Sequence, residues 1–446
     1  MEYEEAESYL LEIPRFTTKN TLDDTRAFLE KLGRPDRDQN IIHIAGTNGK
    51  GSVCAYLASV FQKAGYRVGM FTSPHLVTMR ERFRMGGEMI SKREFLACFE
   101  QVQEAVSGGL PGNPAYHPTF FETLFFMAML YFKRNGAEIV ILETGLGGRL
   151  DATNSVEKKE LCVITQIGYD HMEYLGDTIG RIAGEKAGIL QKNVPVVFAD
   201  NRAESSGVIK RRAETLGCPA FSVSKRDVRN LEFHKNFIDF SYDTRYYGII
   251  KCSLSAHAPY QAENAALALG ALDALAERLP VPKEALLAGM REARWEARME
   301  EIFPDVYVDG AHNADGIQAF LDAVHRNGSG RKLLLFSAVR DKQYEEIIRL
   351  LTSPETFDSI FVTELNNTRG LSLRTMREAF AKAGVAVYGF SDTGSAFDAI
   401  LAAKQPGDTV YVAGSLYLAG EVKSILREFR LKDRADAGFS VEDHHD

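Results

Sequence analysis

Short apolar runs alternate with longer amphipathic stretches along most of the chain, which predicts an α/β protein of parallel sheets with crossover helices. Ile41-Ile42-His43-Ile44 reads as a buried strand. A loop follows, then a helix from about Gly51 on which Cys54, Leu57, Val60, Phe61 and Ala64 form one apolar face, closed by Gly65. Further strands are expected at Val68–Thr72, Ile139–Glu143, Leu161–Thr165 and Val194–Ala199. From Phe221 to Ser255 the pattern shortens to segments such as Phe237-Ile238-Asp239-Phe240-Ser241-Tyr242, which predicts a small antiparallel β patch. A helical run from Gln261 to Leu279 is closed by Pro280 and Pro282, and a short helix ends near Arg294. The strand–helix alternation then restarts, with strands at Val306–Asp309, Lys332–Phe336, Ser359–Thr363, Val385–Tyr388 and Thr409–Val412.

Length sharpens this division. A chain of 446 residues exceeds what one core serves. Residues 1–293 read as a P-loop-type α/β domain carrying the β patch, residues 299–430 as a smaller Rossmann-like domain, and residues 431–446 as a polar tail expected to fray. The histidines of that tail are not read as metal ligands, since a frayed end offers no fixed geometry. Hydrophobic residues at 45% and charged residues at 26% suit a globular fold. The net charge of −8, without clustered Lys or Arg, excludes a nucleic-acid surface. The five cysteines are scattered and form no Cys-x-x-Cys, so free thiols in a reducing compartment are expected. The acidic N-terminus lacks a signal-peptide pattern, and the apolar stretch Phe120–Phe132, broken by Glu122, is too short to cross a bilayer. A soluble, cytoplasmic protein is the expectation.

Gly46-Thr47-Asn48-Gly49-Lys50-Gly51-Ser52 lies between a buried strand and a helix. Backbone N–H groups there can wrap phosphate oxygens, the helix N-terminus favours negative charge, and Lys50 can reach the β/γ-phosphates. The loop departs from the general P-loop pattern, with Ile44 where the first glycine would stand and Gly51 between Lys50 and Ser52. Ile139–Glu143 is an apolar strand ending in a carboxylate, a hard oxygen ligand suited to Mg²⁺. Gly145-Leu146-Gly147-Gly148 lacks the third glycine of a dinucleotide fingerprint, and that reading is rejected. Asp170-His171 follows a parallel strand, where ligand sites of open α/β sheets gather. Lys186 lies in Gly184-Glu185-Lys186-Ala187-Gly188.

These motifs, with Phe71-Thr72-Ser73-Pro74-His75-Leu76, the run Glu143–Asn154 and Asp309-Gly310-Ala311-His312-Asn313, stand in an order that resembles folylpolyglutamate synthase and the bifunctional dihydrofolate synthase of bacteria, within the Mur ligase superfamily. The resemblance runs from about Tyr9 to about Phe429. It implies an ATP-dependent ligase that joins L-glutamate to tetrahydrofolate and to dihydropteroate, releasing ADP and phosphate, and working as a monomer. It also implies site residues. Thr47, Asn48, Gly49, Lys50, Gly51 and Ser52 would hold the ATP phosphates, with Asn264, Arg298 and Asp309 as further nucleotide contacts. Ser73, Glu143 and His171 would bind two Mg²⁺ ions, and Lys186 would be carbamylated. Lys50, His171, Lys186 and His312 would serve catalysis, with His312 and Ser415 facing glutamate or the γ-phosphate. Thr119, Phe121, Glu122, Asp151 and Ala152 would line the pterin side. The family's glycine-leucine-glutamate-arginine run is replaced here by Lys19-Asn20-Thr21-Leu22-Asp23-Asp24.

The chemistry implied is activation of a carboxylate as an acyl phosphate, which the glutamate amine then attacks. Lys50, Arg298 and Mg²⁺ would offset the repulsion between anions, and a hinge near Glu292–Glu296 would exclude water. A Mur-type ligase of peptidoglycan precursors fits less well. The loop starts at Gly46, leaving room for only a helix or two before it, and Gly51 replaces the threonine usual after the loop lysine. A regulatory P-loop NTPase would not need Ser73, Glu143, His171, Lys186 or a second α/β domain.

Overall fold

The computed structural model describes residues 1–13, 20–327, 330–340, 342–353 and 356–436, with side chains up to residue 427. An eight-stranded sheet runs in the spatial order Glu88–Met89, Phe83–Met85, Val68–Phe71, Ile139–Glu143, Asn40–Ala45, Leu161–Ile164, Val196–Ala199, Ala220–Val223. The first two pairings are antiparallel and the other five parallel. Both faces are buried, and successive side chains divide between them. Ile42, Ile44, Ile139 and Ile141 pack against helices Lys50–Lys63, Tyr260–Leu275 and Lys283–Glu292. Ile41, Val140 and Leu142 pack against helices Tyr3–Glu12, Leu22–Lys31, Lys92–Val106 and Phe120–Arg134. The helix Tyr260–Leu275 is buried on nearly every side, under the three-stranded antiparallel patch Arg229–Phe233, Ile238–Thr244 and Gly248–Leu254.

The second sheet has the order Glu300–Phe303, Val306–Val308, Thr409–Ala413, Lys332–Phe336, Ser359–Thr363, Tyr388–Phe390. All of its pairings are parallel except the first. Residues 293–299 connect the two sheets. In this stretch Ala297 and Met299 adopt positive φ (52° and 48°), and Glu296 bridges Arg84 of the first sheet (3.5 Å) and Lys423 of the last helix (2.5 Å).

Some expected elements shift. Ala220–Val223 is the edge strand of the main parallel sheet rather than part of the antiparallel patch. The final short strand is Tyr388–Phe390, not Val385–Tyr388, because Val385 and Val387 turn into the apolar cluster beneath helix Leu373–Lys382 instead of pairing. The helix expected to reach Leu279 stops at Leu275. Strand Glu300–Phe303 carries no apolar alternation, being an edge strand, and was not anticipated. The last helix, Leu416–Asp436, continues past Leu431, where the tail was expected to start. Residues 437–446, with the two terminal histidines, and Lys19 lie outside the described residues. All five cysteines are buried and unpaired. Among the described residues no helix is long and apolar enough to cross a membrane.

Candidate active site

Strands Asn40–Ala45, Ile139–Glu143 and Leu161–Ile164 are neighbours, so the loops leaving their C-terminal ends meet. The first of these is the glycine-rich loop. Gly49 caps helix Lys50–Lys63 with φ of 89°, and a Cβ there would strike the Asn264 side chain. A Cβ at Gly51 would strike the Trp295 indole, so the odd glycine after Lys50 makes room for that ring. The loop rests on the segment after the third strand. Thr47 N donates to Gln166 O (2.8 Å), and Thr165 Oγ1 donates to Asn48 O (2.7 Å).

Lys50 Nζ donates to the carbonyls of Gly46 and Thr47 (both 3.2 Å) and lies 3.8 Å from Glu143 Oε1. The first N–H groups of this helix have no intrahelical partner. The Ser52 hydroxyl, on a residue only 1% exposed, has no protein partner among the described residues. A buried hydroxyl left open beside a helix N-terminus and a lysine fits a phosphate and its counter-ion.

Glu143 is buried, and burial raises its carboxyl above the ordinary range against the pull of Lys50. Its Oε2 accepts from Ser73 N (3.1 Å). Spare lone pairs on a buried carboxylate next to a phosphate loop fit a hard cation. Among the described residues no three His, Cys, Asp or Glu side chains form a group that could hold a metal ion. Behind the loop, Lys186 is 4% exposed and donates to Gly46 O (2.7 Å). Burial, and Lys50 next, pull its ammonium down to about 7.

The opposite wall comes from the second sheet. Lys342 forms a short ion pair with Asp170, and its Nζ lies 3.3 Å from His171 Nε2. His312 Nε2 is 3.8 Å from Asp170 Oδ2, and its Nδ1 lies 2.7 Å from Gly310 O. Burial pushes the Asp170 carboxyl up, but the attraction of His312 and Lys342 wins and holds it well below the usual carboxylate range. Burial lowers the His171 imidazole to about 4, with Asp170 pulling the other way, so it is neutral and able to offer a lone pair near neutral pH.

Several residues named from the sequence are occupied by local structure. Asp309 accepts from Tyr260 OH (2.5 Å), Met299 N (3.0 Å) and Ala311 N (2.8 Å), tying the connecting segment to the first domain. Arg298 bonds the carbonyl of Ala297 and borders a cleft with Ser73, Glu143 and Trp295. Ser415 accepts from Tyr417 N at the start of the last helix (3.0 Å). Asp151 holds the glycine-rich turn after Glu143 by accepting from Gly145 N and Leu146 N (both 2.9 Å), with Ala152 buried beside it.

Thr119 and Glu122 form a capping box on helix Phe120–Arg134. Glu122 also accepts from Asn20 Nδ2 (2.7 Å) and Thr25 Oγ1 (3.2 Å), pinning the N-terminal helices to the first domain. Phe121 is half-buried, packed on Phe71 and Gly145. Glu122→Ala leaves the half-buried Thr119 amide without its cap and unties Asn20 and Thr25, which keep only their bonds to His117 O (3.0 Å) and Thr21 O (3.1 Å), so a loss of about 1–2 kcal/mol in urea unfolding is expected. Unchanged stability would contradict this anchoring role. Sequence reasoning singled out Asp170 beside His171 without giving it a role, and left Lys342, Asn20 and Trp295 out of the site. The Thr119-x-x-Glu122 spacing was itself a readable capping signal.

Two family models match the chain, the Mur ligase middle domain over residues 44–272 and the Mur ligase glutamate ligase domain over residues 293–416. The architecture and phosphate loop are thus those of a Mur-type ligase. The dihydrofolate synthase/folylpolyglutamate synthase of Bacillus subtilis is 35% identical over 95% of this chain and 99% of its own length. A solved structure of Escherichia coli FolC in complex with DHPP and ADP superimposes with a TM-score of 0.85, at 28% identity over 96% of this chain and 99% of that one. Mycobacterium tuberculosis folylpolyglutamate synthase complexed with ADP gives 0.87, at 26% identity over 95% and 98%. The chain belongs to the dihydrofolate synthase/folylpolyglutamate synthase family, whose members use ATP to ligate glutamate to folates.

Proposed function

We propose that this chain adds L-glutamate both to dihydropteroate and to reduced folates through an acyl phosphate. In this reading residues 1–293 bind ATP and the folate, residues 299–430 bind glutamate, and the enzyme works as a cytoplasmic monomer. The observation that carries it is the meeting of two walls. Lys50 and Glu143 stand on the nucleotide side, and His312 and Lys342 of the second sheet reach Asp170 and His171 on the first.

Each residue then has a physical task. The helix N-terminus, Lys50 and the Ser52 hydroxyl hold the triphosphate, with Gly49 and Gly51 keeping the backbone clear of side chains. Arg298 and Lys50 lower the repulsion between the folate carboxylate and the γ-phosphate. Ser73, Glu143 and His171 would hold Mg²⁺, which supplies further neutralisation of phosphate charge. Asp170 keeps Lys342 and His312 at the seam between walls, where they would meet the anionic glutamate. Lys186, with an amine neutral in part near pH 7, suits carbamylation, in which the amine nitrogen bonds CO₂ and releases one proton. Asp151 and Phe121 shape the turn beside which the pterin would lie.

The test is purified protein with ATP, Mg²⁺ and labelled glutamate, offered dihydropteroate and tetrahydrofolate separately. Labelled product from both supports dual activity; product from one alone reduces the proposal to that substrate. With a carboxylate labelled in ¹⁸O, one labelled oxygen should appear in the released phosphate. Phosphate without label would sink the acyl-phosphate route.

A further inference from the structure

The phosphate loop is joined to the second domain by two side-chain amides facing each other. Asn48 Nδ2 donates to Asn313 Oδ1 (3.1 Å), and Asn313 Nδ2 donates back to Asn48 Oδ1 (3.0 Å). Each partner is fixed from its own side. The Asn48 carbonyl accepts from Thr165 Oγ1, and its N–H points at Gln166 O (3.3 Å). Asn313 Oδ1 also accepts from Gly316 N (2.8 Å), capping helix Ala314–Val324. Asn313 Nδ2 lies 3.4 Å from Asp170 Oδ2, the oxygen that faces His312.

A reciprocal amide pair is directional in both partners, so a small rotation of one domain loses both bonds together. The Asn48 side chain is therefore committed to the second domain, whereas Lys50 and the free helix N–H groups remain with the first. We infer that the Asn48–Asn313 pair is a positioning device that sets His312 and Lys342 over the phosphate loop and couples the loop's order to the second domain. That these groups then act on glutamate rests on the function proposed above.

The test is a double-mutant cycle in the full-length enzyme. Asn48→Ala removes the amide from the loop. Asn313→Ser keeps a good helix cap but is too short to reach Asn48. For each single variant we expect kcat for glutamate ligation to fall about tenfold and the double variant to be no worse than the poorer single, while Asn313→Ser, which leaves the phosphate loop intact, changes ADP affinity by calorimetry less than about threefold. Hydrogen exchange supplies a readout free of turnover: ADP should protect the Gly310–Asn313 turn in the wild-type protein and not in the variants. Additive losses, ADP binding weakened in Asn313→Ser as much as kcat, or ADP protection that is absent from the wild type or persists in the variants would each overturn the coupling. Wild-type protein with ADP-dependent protection but no glutamate ligation would sink the ligase reading while supporting the coupling.

Discussion

Lys50→Met should lower kcat for glutamate ligation by about 10³-fold, equivalent to about 4 kcal/mol of transition-state stabilisation. The ammonium lies between the carbonyls of Gly46 and Thr47 and 3.8 Å from Glu143, so it is held in place before any ligand arrives. Methionine retains the length and the packing but not the charge, leaving developing negative charge on the transferred phosphoryl group unopposed from this side. Lys50→Arg should fail nearly as badly, because a planar fork does not fit where a compact ammonium sits under a glycine loop. Circular dichroism should show both variants folded. Steady-state turnover within tenfold of wild type for Lys50→Met would remove Lys50 from the catalytic machinery.

The second large effect concerns Lys186, and it splits activity from stability. Burial, with Lys50 adding repulsion, lowers its folded-state pKa from 10.5 to about 7. Between those two values the unfolded chain binds a proton that the native one does not, so this group's contribution to stability rises with pH through the window. The contribution is complete above about 10.5 and lost as pH falls to about 7. Lys186→Met has no ammonium to desolvate. In CO₂-free buffer at pH 7 it should therefore be the more stable protein, by an amount on the order of a few kcal/mol that shrinks towards pH 10. Turnover should nonetheless fall by about 10³-fold if a carbamate at this position is needed. Lys186→Ala, which leaves a cavity, should regain part of its activity with a short carboxylic acid. Full activity of either variant without an additive would rule out the carbamate, and lower stability of the methionine variant at pH 7 would contradict the burial penalty.

The parts of the site visible in the amino-acid sequence are those built from contiguous residues. Gly46–Ser52 combines a buried strand, glycines and a helix start within one stretch, and Glu143 closes an unbroken apolar strand. Asp151 was visible as a residue but not in its local work, because the backbone N–H groups of Gly145 and Leu146 claim its oxygen, whereas the capping role of Thr119 and Glu122 was legible in their spacing. Lys342 and Asn313 take their place from the docking of one domain on the other, meeting Asp170 and Asn48 across 172 and 265 positions respectively. No local pattern encodes such a meeting. The same limit applies to strand Glu300–Phe303, whose edge position removes the apolar alternation that would have marked it, and to Val385–Val387, where β-branched residues serve packing instead of pairing.

The glycine that follows Lys50 also has a spectroscopic consequence. It exists where the Trp295 ring leaves no room for a side chain, and Trp295 is the sole tryptophan of the chain. Excited at the red edge, where tyrosine does not absorb, the protein's emission therefore originates beside the phosphate loop. Titration with ADP should shift or quench that emission in a saturable way, with a midpoint equal to the calorimetric dissociation constant. A flat response would mean that nucleotide leaves the indole undisturbed. With such a built-in reporter, the order of nucleotide, folate and glutamate binding can be followed in stopped flow without attaching any label.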